Sequence, residues 1–438
     1  MPLFQCGGRL GGFAAFCGGV PLWLAAAAAV LAGDAARADI DPLSGIDFVR
    51  IGAVGNGPWP GTVPATVGDR AVGRGGVGYE YNIGRFEFTT AQAVEFFNAA
   101  FDRPANDRLP HLIPPNFWGA ASATPTTPGG QRWRVPAGSE MLPVGNLSWR
   151  MAAMICNWYH NGKALGREAF LNGAYDVSTF SYTGTVFNDQ FTYNVGARYW
   201  IPTWDEWLKS AHFDPNKNGQ GQGGWWVYPN ASDTPLVYGP PGVLVNGVAA
   251  QANAGWDGND FPGHNPFGMR LGAYGNVTSA FGLFDLAGAT TEWTEGISLT
   301  NGVFPTGRLF EGSAWVFGDV LSDQVQYRGS DFPSLSTFDL GFRLASSIPA
   351  PSHAAIVGSG MLLLRRTRRP WTTRHDPNPR CVRFAFQSFH RDERVCATVD
   401  DSRHQERCDP STGLPRRPRH HHRCRYGERN VSAQDLRP

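Results

Sequence analysis

Apolar and polar positions alternate along residues 79–88, YEYNIGRFEF, and aromatics fill the apolar places, so this stretch predicts a strand. Thr89 follows, with Gln92 three positions on, which is capping-box spacing. Behind the box Ala93, Phe96, Phe97 and Ala100 recur on one face and predict a first helix. Residues 143–162 predict a second helix. Ser148 caps it, Met151, Ala152, Ile155, Cys156 and Tyr159 form its apolar face, and Gly162 ends it. In residues 199–213, Thr203 and Glu206 make another capping box, and Trp204, Trp207, Leu208 and Ala211 give a third helix its core face. Residues 48–51 read as an entry strand and residues 175–193 as a hairpin insertion.

The stretches between these elements differ in kind. Residues 101–140 are rich in Pro, Gly, Ser and Thr and read as a long surface loop. Residues 219–275 are rich in Gly, Asn and Pro with scattered Trp and Tyr. They are too long for plain linker inside a compact domain, which points to a folded loop region that an ion could staple.

Composition agrees with a loop-rich domain. The 438 residues include 54 Gly, 33 Pro and 15 Trp, while only 17% are charged, a profile of aromatic packing and not of a helical bundle. The net charge of +1 gives no bulk attraction to nucleic acid. At the amino terminus, Arg9, the apolar residues 13–32 and the small-x-small triplet Ala36-Arg37-Ala38 form a secretory signal over residues 1–38. The mature chain then starts near Asp39; the other reading is an uncleaved membrane anchor. Cys6 and Cys17 leave with the signal, Cys381, Cys396, Cys408 and Cys424 lie near the carboxyl end, and Cys156 stands alone between. The central domain therefore has no cysteine pair from which to form a disulfide.

Residues 281–293, FGLFDLAGATTEW, are similar to the G-L-x-D-x-x-G-N-x-W-E-W signature of the formylglycine-generating enzyme (sulfatase-modifying factor) family. Other pieces keep the order of that family. Residues 79–88 resemble its Y-x-I-G-x-x-E-V-T strand, residues 143–162 its P-V-x-x-V-S-W helix, and residues 199–213 its R-L-P-T-E-x-E-W helix. Residues 308–315 and 340–345 resemble its closing R-G-G-S-W and L-G-F-R strands. The resemblance covers about the middle two-thirds of the chain. It implies an α+β, C-type-lectin-like fold with small antiparallel sheets and two or three helices. It also sets the domain plan: strand and loop in residues 39–78, then the family domain in residues 79–346.

The family oxidises a substrate cysteine to formylglycine, using two closely spaced thiolates that hold Cu(I). Soft thiolates suit that ion. The matching positions here are Val316 or Phe317, and Leu321 or Ser322, and no cysteine occurs between Cys156 and Cys381. Copper is accordingly not expected, and no catalytic residue is assigned. Cys156 reads as a small core residue. A second branch of the fold binds iron through His-x-x-x-His-x-Glu, but His111, His160, His212 and His264 are isolated in sequence.

The resemblance implies a structural Ca2+ as well. Asn253 and Ala254 match the family's A-N loop, Asp257 or Asp260 supplies the next carboxylate, and Glu292 matches the acid of W-E-W. Two signature positions depart, with Ala289 in place of Asn and Thr291 in place of Trp. The bland reading is a loop held by hydrogen bonds alone. Asp214 and the residues after it imitate the start of an EF-hand loop, but its twelfth position is Trp225 and not Glu, so a solvated turn is expected. Trp225, Trp226, Trp256, Tyr274 and Trp315 are candidate ligand-stacking residues, with core packing as the alternative fate.

Residues 347–369 carry a Pro-rich triplet, a short apolar run and an Arg cluster that resemble the PEP-CTERM sorting signal processed by an exosortase, with Ala350 replacing the usual Glu. The apolar run is shorter than the ~20 residues of a spanning helix. Residues 370–438 are dense in Arg, His and Asp and read as a disordered basic tail, or as an extension past the native stop. Two functions follow as expectations. One is an exported, non-catalytic binding module of the cell envelope or extracellular space, with an envelope polymer, glycan or peptide as ligand and no nucleic acid. The other is a formylglycine-generating oxidase or related protein-modifying enzyme.

Overall fold

The helices begin where their cap residues place them. In this computed structural model, which describes residues 39–61, 70–123 and 131–348, Thr89 accepts from the Gln92 amide and the Gln92 side chain accepts from the Thr89 amide, opening the helix Thr90–Ala100. The same reciprocal box between Thr203 and Glu206 opens Trp204–His212. Ser148 caps Trp149–His160 through the Met151 amide at 3.2 Å. That helix stops at Gly162, whose φ of +64° suits glycine. The fourth α-helix among the described residues is a single turn, Glu168–Leu171. The readings of residues 1–38, 349–369 and 370–438 fall outside the described residues.

Strands gather into two main sheets. The first runs in the order Asp39–Ile40, Asp47–Ile51, Tyr81–Gly84, Ala345–Ser346, Tyr199–Trp200, with every pair antiparallel. The second is Gly329–Asp331, Phe304–Glu311, Thr291–Thr300, Leu340–Gly341, in which only the last pair is parallel. Short antiparallel ribbons, such as Tyr182–Thr183 with Val186–Phe187, account for the expected hairpin insertion. The strand expected over residues 79–88 is shorter than its alternation suggests, because the chain leaves the sheet after Gly84. Beyond that point Phe86 stacks on Phe284, with ring centres 5.2 Å apart.

The closing segment crosses from one sheet to the other. Leu340–Gly341 lies beside Thr291–Thr300, and four residues later Ala345 pairs with Ile83 and Trp200. Gly341 is required at the crossing, since a Cβ there would fall 2.2 Å from the Thr290 hydroxyl. One buried cluster takes in side chains from both sheets and the three longer helices. Its large indoles find backbone partners: Trp293 Nε1 donates to Leu147 O at 2.7 Å and Trp149 Nε1 to Thr294 O at 3.0 Å, which ties the second helix to the long strand.

Candidate functional site

The signature acid sits in that core. Glu292, on the strand Thr291–Thr300, is buried and accepts from Arg343 Nε at 2.5 Å and from Trp207 Nε1 at 2.8 Å, while its other oxygen takes the Arg343 fork. Arg343 is fully buried as well, and it donates to Gly84 O and Phe284 O. Burial pushes the guanidinium down, and Glu292 beside it more than reverses that, leaving it raised. Glu87 lies in the same nest and bonds the Thr290 hydroxyl at 2.5 Å; burial and then the Glu292 charge push its carboxyl well up.

These contacts involve one residue of the expected calcium set. Both carboxylate oxygens of Glu292 are on Arg343, so Glu292 is a structural ion-pair partner. Asp257 and Asp260 lie in an exposed turn. Asp257 accepts from the amides of Asn259 and Asp260, and Asp260 from the amide of Asp257. Asn253 donates to Pro266 O at 2.9 Å, and its side-chain oxygen is buried without a hydrogen bond. Ala254 is buried beside it, and its neighbour Gly255 donates to Ala314 O. Among the described residues no group of three or more His, Cys, Asp or Glu is placed to hold a metal. The loop carries its own hydrogen bonds, including Ala289 N to Asn253 O at 2.9 Å.

Where the family carries its thiols, the chain turns on Asp319, whose carboxylate accepts from the Leu321 and Ser322 amides. Phe317 and Leu321 are exposed there, with the Phe317 ring against Phe338. Cys156 is the one cysteine among the described residues; it is fully buried, and burial pushes its thiol well up, away from the reactive thiolate. His212 is also buried and its imidazole is pushed down to about 3 by burial, so it stays neutral. The Asp214 turn closes on itself, with Asp214 accepting from the Asn216 amide and Asn216 from the Gly221 amide.

The candidate aromatics divide into two groups. Trp256, Tyr274 and Trp315 are interior: Trp256 packs edge-on to Phe261, Trp315 against Phe267, and the Tyr274 hydroxyl donates to Gly239 O at 2.7 Å. They do not join Trp225. Trp226 donates to Asp214 and lies under the Lys217 ammonium, 3.9 Å from its ring centre. Trp225 alone of the five lines an open cleft of about 840 Å³, together with Trp59, Phe213, Pro58 and Pro60.

Two loops far apart in sequence make this cleft. Trp225 Nε1 donates to Gly57 O at 3.1 Å, and its ring stands edge-on to both Trp59 and Phe213. Gly75 lets the indole rest on backbone, because a Cβ at that position would fall 2.2 Å from the Trp225 ring. Lys217 is the one ionisable residue among the described lining residues, and it is committed to Trp225 O and Asp233. Sequence reasoning missed Trp59. The available signal was a tryptophan between two prolines in a Gly/Pro-rich stretch.

Solved structures similar to this chain include the Treponema denticola variable protein 1, at 18% identity and a TM-score of 0.41, covering 69% of this chain and 95% of that one. CarF is similar at 16% identity and a TM-score of 0.39, over 69% and 99%. PvdO from Pseudomonas aeruginosa is similar at 13% identity and a TM-score of 0.34, over 62% and 82%. No curated protein matches the chain. The Sulfatase-modifying factor enzyme 1-like domain matches residues 76–348, which is more than half of the sequence, and the chain belongs to that family.

Proposed function

We propose that this protein is an exported binding module built on the family scaffold, and that it does not carry out the family's oxidation. The observation that carries this reading is the cleft. Its described lining combines glycine, proline and asparagine with the edges of the largely buried Trp59, Phe213 and Trp225, and its one ionisable lining residue among those described is already paired. Such a cleft can take a sugar or an extended peptide against its aromatic edges, and its described lining holds no acid or nucleophile. The sequence supports the same reading from the other side, since no cysteine lies between Cys156 and Cys381 to hold Cu(I). Export rests on the amino-terminal pattern of residues 1–38. An envelope glycan or related polymer is the ligand class that suits an apolar, aromatic-edged cleft of this size.

Retention of the protein on immobilised envelope polysaccharide tests the proposal. The wild-type chain is expected to be retained and Trp225→Ala to be lost from the matrix. Equal retention of the two overturns the cleft as the binding site. A parallel incubation with Cu(I), oxygen and a Cys-x-Pro-x-Arg peptide is expected to give no aldehyde; aldehyde formation overturns the non-catalytic reading.

A further inference from the structure

The cleft keeps a glycine that the fold does not require. Gly55, Gly57, Gly221, Gly223 and Gly224 all line it. Four of them have a reason in the fold. Gly55 and Gly221 take left-handed φ values of +74° and +71°. A Cβ on Gly223 would fall 2.4 Å from the Phe213 ring, and one on Gly224 would fall 2.8 Å from the Asn218 side chain. Gly57 has neither constraint. Its φ is outside the left-handed region, and a Cβ built there meets no atom within 4 Å among the described residues. It precedes Pro58, which biases it toward extended backbone that alanine adopts equally well. A glycine in such a place costs conformational entropy and adds no packing, so its use lies in what comes up to the backbone from outside.

The stretch around Gly57 is firmly held, yet two of its amides are left over. Gly55 N donates to Val77 O and Trp59 N to Arg74 O. The Asn56 side chain donates to Gly75 O at 2.9 Å and accepts the Val77 amide at 3.1 Å. The Gly57 carbonyl accepts from Trp225 Nε1 at 3.1 Å. Pro58 has no N–H to give. The amides of Asn56 and Gly57 make no hydrogen bond among the described residues, and both residues line the cleft. One wall therefore combines a fixed backbone, a bare Cα and two unused donors.

We propose that Gly57 is the point of close approach in the cleft and sets its ligand class, a neutral glycan. A sugar ring rests against the bare Gly57 backbone, and its oxygens accept from the amides of Asn56 and Gly57. This inference rests on the reading of the cleft as the binding site. Neutrality follows from the charges: no carboxylate lines the cleft among the described residues, and Lys217, the one cation, is already engaged by Trp225 O and Asp233. An acidic polymer would find no free cation there to pair with.

Titration calorimetry of the full chain with cellohexaose, chitohexaose and polygalacturonate tests this, with thermal melting as the check on the fold. The wild type is expected to bind at least one of the two neutral hexasaccharides and not polygalacturonate. Gly57→Ala is expected to weaken that binding at least about tenfold, the worth of one lost backbone contact, while melting at or above the wild-type temperature. Gly166→Ala, at a glycine outside the cleft lining whose Cβ would also meet open space, is expected to bind as the wild type does. Undiminished affinity in Gly57→Ala overturns the inference; if Trp225→Ala is weakened in the same series, the cleft still stands as the binding site. Binding of polygalacturonate alone overturns the neutral class with the same consequence. A lowered melting temperature in Gly57→Ala overturns the inference too, since the glycine would then serve the fold. Absence of binding by all three probes overturns both the inference and the reading of the cleft.

Discussion

Replacing Arg343 by Met tests the ion pair at the centre of the fold. Both partners are buried, so Arg343→Met strands the Glu292 carboxylate in a medium that solvates it poorly. It also removes the donors serving Gly84 O and Phe284 O. Breaking a buried pair from one side costs about 3–5 kcal/mol, and the lost carbonyl bonds fall within that figure. With a urea slope of about 3 kcal/mol per molar, the midpoint falls by at least about 1 M. The assay is urea unfolding followed by tryptophan emission, to which Trp207, bonded to Glu292, contributes. The double variant Glu292→Gln/Arg343→Met removes the stranded charge and keeps an acceptor for Trp207, so it recovers at least about 1 kcal/mol. A single variant within about 1 kcal/mol of wild type would refute the reasoning. So would a double variant less stable than the single.

Glu295 carries a pH signature. Burial pushes its carboxyl up to about 8, although the Tyr175 hydroxyl and the Tyr193 amide donate to it. The folded value lies above the unfolded one of 4.5, so the folded state holds a proton that the unfolded chain gives up first. Its stabilisation is full below the unfolded value and is lost as pH rises through the folded one. Between about pH 5 and pH 8 the wild type loses on the order of 3 kcal/mol from this group, and Glu295→Gln flattens that part of the melting profile. Parallel slopes in the two proteins would remove Glu295 as the source. Gly75→Val drives a side chain into the Trp225 ring at a backbone φ of +83°, and is expected to cost about 1–3 kcal/mol and to abolish retention on polysaccharide. Full retention by a folded Gly75→Val protein would show that Trp225 need not hold its position.

The three capped helices were legible because their determinants are local: Thr89 with Gln92, Ser148 with Met151 and Thr203 with Glu206 each act within three residues. The family order of strands and helices was legible for the same reason, motif by motif. The role of Glu292 was not, since its partner Arg343 lies 51 positions on and a carboxylate in a signature looks the same whether it meets a cation or a guanidinium. Nor can composition tell an interior indole from a cleft-edge one. Trp315 and Trp225 stand in similar Gly-rich surroundings in sequence, yet only Trp225 borders the cleft, because Gly57, 168 positions earlier, comes to meet it.

The short strand Ala345–Ser346 sits between Tyr81–Gly84 and Tyr199–Trp200, which touch no other neighbour on that side. A nascent chain therefore emerges from the ribosome with its first sheet in two unjoined parts, however well its helices have formed. Closure waits for a contact spanning almost the whole domain, and pairings so distant in sequence are slow to find. During that interval chaperones and proteases see an open molecule, and a truncation removing only those last residues would leave it open for good.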